Sequence, residues 1–149
     1  RAGKASSAEA DFGQAADLDP TNWRAHYGLA DLLAAEGRLQ ESLATYARAA
    51  ALNPFCPRIA CSRGYALSSL GEDKEAVAAF DAAIKASPTC AQAYAGHAAL
   101  LFQRGRDAEA YVFCQRAADL NPRLEILTLL GAIKGRLAAR GYLVDAIPS

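Results

Sequence analysis

Residues 21–54 read TNWRAHYGLADLLAAEGRLQESLATYARAAALNP, and this stretch decides the fold because the rest of the chain repeats its punctuation. It carries Gly37 near its middle and ends on Pro54. Glycine recurs at residues 3, 37, 71 and 105 and proline at 20, 54, 88 and 122, both at a step of 34. A fixed period of this length is one supersecondary unit copied and stacked, and a 34-residue period belongs to a helix–turn–helix solenoid. Such arrays present a long concave surface to partners.

The punctuation has a mechanism. Gly37, Gly71 and Gly105 each follow an apolar-periodic run, where a left-handed residue ends a helix at little cost. Pro54, Pro88 and Pro122 push Asn53, Ser87 and Asn121 out of the helical region and so close the second helix. Helices are expected near 4–18, 22–36, 38–52, 57–70, 72–86, 90–104, 106–120 and 124–140. No segment alternates polar and apolar as a strand requires. The same step aligns four ladders. Ala8, Ser42, Ala76 and Ala110 are small, Phe12, Tyr46, Phe80 and Cys114 mostly bulky, and Ala15, Ala49, Ala83 and Ala117 small again. Leu33, Leu67 and Leu101 are aliphatic. Small against large at fixed offsets is how helix ridges enter neighbouring grooves.

Composition narrows the function classes. Sixteen basic residues balance sixteen acidic ones across 149 residues, so bulk charge does not point to a nucleic-acid partner or a membrane surface. No apolar run approaches the roughly 18 residues needed to span a bilayer. The chain begins at Arg1 and has no methionine, so it is expected to be a piece of a longer protein or a processed form. Cys56, Cys61, Cys90 and Cys114 show neither zinc spacing nor CxxC. Stacking should hold Cys56 and Cys90 about 10 Å apart, too far to bridge. Reduced structural thiols favour a cytoplasmic setting.

With these positions in place the chain resembles the tetratricopeptide repeat (TPR) family. The first full copy carries the resemblance on Trp23, Leu29, Ala30, Leu33, Gly37, Ser42, Tyr46, Ala49 and Pro54. The second carries it on Gly64, Leu67, Gly71, Ala76, Phe80, Ala83 and Pro88, and the third on Tyr94, Ala98, Leu101, Gly105, Ala110, Ala117 and Pro122. Arg63 departs from the usual aliphatic residue, Asp73 from a bulky one and Cys114 from an aromatic one. The resemblance implies an all-α, right-handed α-solenoid of helix–turn–helix units, forming one domain over 1–149. Within it, 3–20 is the second helix of a partial repeat, and 21–54, 55–88 and 89–122 are full repeats. Residues 123–141 are a closing helix and 142–149 an apolar tail. The first helix of the partial repeat is expected upstream, leaving the side around Phe12 partly uncovered. In the closing helix, Lys134, Arg136 and Arg140 are expected to suit the helix dipole.

Catalysis needs titratable groups converging in a pocket, and nothing here has that form. His26 and His97 fall in different repeats and are expected to flank core positions. Cys90 and His97 share a helical face but make two metal ligands at best, where structural zinc wants four. There is no glycine-rich phosphate loop, no HExxH and no GxSxG. The expectation is no enzyme, no metal and no cofactor.

The resemblance places the first helix of each repeat on the concave face. Opposite the Leu29/Leu33 stripe stand Arg24, Tyr27 and Asp31, spaced i, i+3, i+7. Matching places on the next first helix hold Arg58, Cys61, Ser62 and Tyr65. On the third they hold Gln92, Ala95, Gly96 and Ala99, followed by Phe102 and Gln103. The candidate ligand groove is therefore Arg24, Tyr27, Asp31, Arg58, Ser62, Tyr65, Gln92, Phe102 and Gln103. Tyrosine and arginine are enriched among residues that dominate interface energy. The two arginines favour an acidic or polar ligand.

Chaperone-binding members of the family grip a C-terminal carboxylate with lysines, asparagines and an arginine. Here the corresponding places hold Tyr27, Asp31, Ser62, Gln92 and Gly96, which match none of these. The leading expectation is a protein–protein interaction scaffold that binds a protein or peptide segment in the groove, with no nucleic-acid or membrane partner. The alternative is a regulatory or substrate-presenting segment of a larger multidomain enzyme. Self-association through the Phe12 face, or through the closing helix and tail, is a third expectation.

Overall fold

A computed structural model of the protein describes residues 2–142, with side chains from Ser7 onward. The apolar tail from residue 143 lies outside the described residues. Eight helices follow one another: α1 (Ala2–Leu18), α2 (Trp23–Ala35), α3 (Leu39–Leu52), α4 (Pro57–Leu70), α5 (Asp73–Ala86), α6 (Ala91–Gln103), α7 (Asp107–Leu120) and α8 (Leu124–Ala139). The described residues contain no strand. The bounds fall within two residues of the expected ones, because local punctuation sets them. Gly3 is the exception: it lies inside α1 and ends no helix.

Gly37, Gly71, Gly105 and Gly141 have φ of 78°, 81°, 76° and 85°. In that left-handed region a side chain is strained and glycine is not. Each turn is closed by the same long backbone bond. Arg38, Glu72, Arg106 and Tyr142 donate N–H to the carbonyls of Leu33, Leu67, Leu101 and Leu137, at 2.9, 2.9, 2.9 and 3.1 Å. This six-to-one bond of the Schellman motif satisfies carbonyls that a helix end would orphan. The closing helix therefore stops at Gly141 by the device used inside the repeats, although its glycine comes late. At the proline turns Asn53 and Asn121 are extended, with φ of −140° and −157°, as the following prolines demand. Asn22 caps α2, its side chain accepting from the Ala25 N–H at 3.3 Å.

Packing divides the chain into two compact units, one up to Ala79 and the other from Phe80 onward, so the division falls inside α5. In the first unit α2 packs on α1 and α3, and α3 packs on α4. Its core holds Ala30, Tyr46, Ala49, Ile59 and Ala66, flanked by Trp23, Tyr27, Leu39 and Leu43. Ser42 is fully buried in the small-residue row because its Oγ donates to the Ala30 carbonyl at 2.9 Å. Phe12 is half-buried and its ring lies on Gly28, where a Cβ would overlap Cδ1, Cε1 and Cζ of that ring. Arg63, in the usual aliphatic place, is half-buried with its Nε buried and unbonded.

In the second unit α7 packs between α6 and α8. The core runs through Ala98, Leu101, Ala110, Cys114, Ala117, Ile126, Leu130, Ile133 and Leu137. Cys114 fills its ladder place fully buried, and its Sγ donates to the Ile126 carbonyl at 3.5 Å. The aromatic volume moves next door: Phe113 lies 4.1 Å from the His97 ring, which is also stacked near Phe80 at 6.4 Å.

Both histidines are buried, as their flanking of core positions implied. His26 Nε2 donates to the Pro20 carbonyl at 3.1 Å. Burial holds the His97 pKa below its ordinary 6.5, against an opposing pull from Asp81. A base with a depressed folded pKa takes up protons more readily when unfolded, so its contribution is lost as pH falls below 6.5. Urea midpoints at neutral pH and near pH 5 should differ, with the acid value lower. His97→Gln should shrink the difference, and an unchanged difference would assign the acid sensitivity to other groups.

Candidate functional site

In the first unit the candidate residues sit on α2 and α4. Tyr27 and Asp31 are one turn apart on α2, and Ser62 and Tyr65 nearly so on α4, so both pairs face the same way. The Tyr27 hydroxyl and Ser62 Oγ are 3.2 Å apart. From beneath, the Tyr46 hydroxyl donates to Asp31 Oδ1. Trp23 meets Tyr27 edge to face and Tyr27 meets Tyr46 at a tilt, with centroids 6.4 and 6.0 Å apart. Burial pushes the Tyr27 and Tyr46 pKa values up, and the Asp31 carboxylate adds to both shifts. Both phenols therefore stay protonated, and Tyr46 holds the Asp31 carboxylate in place.

These side chains border a shallow depression of about 250 Å³, lined by Asp31, Ala34, Leu39, Tyr46, Ser62, Tyr65, Ala66 and Ser69. Asp31, Ser62 and Tyr65 are thus brought together, with Tyr27 joined through Ser62. Tyr46 was missed as a groove residue because its place in the bulky ladder marks it as core. It is core in its ring and site in its hydroxyl. Arg24 and Arg58 are exposed and stand outside these walls. The Arg24 guanidinium lies 4.9 Å over the Trp23 ring. Cys61, expected on the same face, is buried at 3% exposure and belongs to the packing. Arg58→Ala should change stability by no more than about 0.5 kcal/mol, as exposed substitutions do. A larger loss in chemical denaturation would place Arg58 in a buried network.

In the second unit Gln92 and Gln103 are exposed and Phe102 is half-buried. Gly96 is buried and Ala95 is half-buried against the core. One face of Phe102 is covered by the Arg136 guanidinium, 3.5 Å from the ring centroid. Arg136 does more than suit the helix dipole. Its Nε donates to Asp107 Oδ1 at 2.8 Å and its Nη2 donates to the Phe102 carbonyl. Arg140 Nη1 lies 2.8 Å from Asp107 Oδ2, though without the alignment of a hydrogen bond, so that contact is charge attraction. Lys134 Nζ lies 5.9 Å from the Tyr111 ring.

Among the described residues no group of three or more His, Cys, Asp or Glu side chains could hold a metal ion, and all four cysteines are free thiols. No helix of the described residues is long and apolar enough to cross a membrane.

Two models described as tetratricopeptide repeat match the sequence, one over residues 1–62 and one over 61–125. The chain belongs to the tetratricopeptide repeat family, an all-α helical-repeat fold that makes it a protein-interaction module. A search of curated proteins returns no match. Among solved structures it is similar to MamA 41-end from Desulfovibrio magneticus RS-1, with TM-score 0.78 and 20% identity over 95% of this chain and 80% of that one. It is also similar to the first TPR domain of human RPAP3, with TM-score 0.76 and 20% identity over 82% of this chain and 97% of that one. The first TPR of Spaghetti (RPAP3) bound to the HSP90 peptide SRMEEVD gives TM-score 0.73 and 21% identity, covering 80% and 96%. At these identities the likeness is one of fold.

Proposed function

We propose that the α2–α4 face holds an extended segment of a partner protein, with Tyr27, Asp31, Ser62 and Tyr65 at its centre and Arg24 and Arg58 beside them. Gln92, Phe102 and Gln103 are candidate contact residues of the second unit taken by itself. The observation that carries this reading is the open depression in which a carboxylate, two tyrosine rings and two serines border one surface. Tyr65 supplies exposed aromatic area, and rings with a polar tip are the usual anchors of interfaces. The RPAP3 repeat solved with a peptide supports peptide binding as a use of this fold.

Capture from source-cell extract tests it, comparing the protein with an Arg24→Ala, Arg58→Ala, Tyr65→Ala variant by mass spectrometry. Proteins lost only from the variant are the expected result, and an unchanged list would overturn the groove assignment. A fluorescent SRMEEVD peptide should show no micromolar binding. On the α2–α4 face Tyr27, Asp31 and Ser62 supply no cation for its carboxylates, and a tight titration would contradict that.

A further inference from the structure

The geometry points to a basic side chain, lysine or arginine, as the residue that the partner segment places in the α2–α4 depression. This inference rests on the groove assignment above and specifies its chemistry.

Asp31 is the one side chain among the eight walls that carries a formal charge as a carboxylate; the others are alanine, leucine, serine and tyrosine. A carboxylate has about four lone-pair sites on two oxygens, so accepting one bond from Tyr46 leaves room for a cation. Its setting strengthens that preference. Asp31 is half-buried, where an opposite charge is screened less than at the open surface. Tyr65 adds an exposed aromatic ring, which attracts a cation over its face. The hydroxyls of Ser62 and Ser69 can accept the remaining N–H groups of an ammonium or guanidinium.

The opposite chemistry fits poorly. A partner carboxylate would meet Asp31 at close range, and like charges in a partly desolvated site cost several times what an exposed pair gains. Arg24 and Arg58 do not reverse this. Both are exposed, outside the walls, where solvent and salt weaken their field, and the pull of Arg58 on Tyr27 is the smallest of the influences on that phenol. At the centre of the site this reading favours a basic residue over the acidic or polar ligand that the two arginines suggest in sequence.

The test uses capped peptides of one extended alanine-rich scaffold, each with a single central Arg, Lys, Gln, Glu or Leu. Each is titrated against the ¹⁵N-labelled protein and read at the backbone amides of Ala34, Ala66 and Ser69. Arg and Lys peptides should shift these signals. Asp31→Asn keeps an oxygen for Tyr46 and should weaken them about fivefold, the weight of a partly exposed ion pair. Added salt should weaken the Arg peptide and leave the Leu peptide unchanged, a readout that needs no variant. Equal binding of Gln, Glu or Leu peptides at these amides would overturn the cation and leave the groove assignment standing. No shift from any peptide would overturn both.

Discussion

Phe80→Ala is expected to cost about 3–5 kcal/mol, the range for removing a fully buried phenylalanine. Phe80 has 0% exposure and its ring stacks near His97 at an interplanar angle of 18°. Deleting it removes the transfer energy of the ring and leaves a cavity that neighbouring helices can close only in part. The ladder supplies an internal control. Phe12 occupies the equivalent place on α1 but is half-buried, so Phe12→Ala should lose clearly less. Urea denaturation followed by helical circular dichroism measures both. A loss under about 1 kcal/mol for Phe80→Ala would mean that the bulky ladder is not the inward face.

Arg136→Ala is expected to cost about 2–3 kcal/mol and more than Asp107→Ala, which should cost about 1–2. The asymmetry follows from where each charge sits. The Asp107 side chain is 1% exposed and that of Arg136 36%. Without Arg136 the buried carboxylate keeps only the unaligned contact with Arg140, and the Phe102 carbonyl loses a donor. Without Asp107 the two arginines turn to water, which both already touch. Removing one partner of a fully buried pair costs more, about 3–5 kcal/mol, and Arg140 holds the present case below that. Equal losses, or the reverse order, would show that solvent reaches Asp107.

Nearly all of the helical architecture was legible in the chain. The turns at Gly37, Gly71 and Gly105 depend on one residue's freedom at positive φ, and Pro54 and Pro122 act on the residue just before them. Such effects reach across a few bonds, so spacing alone exposes them. The ladders read equally well in the interior. Tyr46, Phe80, Ala76, Ala83, Leu67 and Leu101 are all buried, because a residue repeating at the helical-pair period meets the same neighbours in every copy.

The candidate site was legible only in part. The family resemblance chose the first helices, and spacing on α2 and α4 then named Tyr27, Asp31, Ser62 and Tyr65, along with Cys61, which is buried. It could not show that Tyr46 reaches Asp31 from beneath, since a bulky ladder position says nothing about where its hydroxyl ends. Nor could it show that Arg136, 29 residues beyond Asp107, crosses to it. As a chain, Asp107 is an acid in the first turn of α7 and Arg136 a base in the last turn of α8, each satisfied by its own helix dipole.

Sequence by itself determined the eight helices, nearly all of their ends and the ladder positions that face inward, since these follow from bonded geometry and periodic burial. Only the tertiary structure decided which polar groups meet: Asp31 with Tyr46, Asp107 with Arg136, Phe102 under a guanidinium. A hydrogen bond needs partners within about 3 Å, and between helices that distance is set by the packing of side chains far apart in the chain.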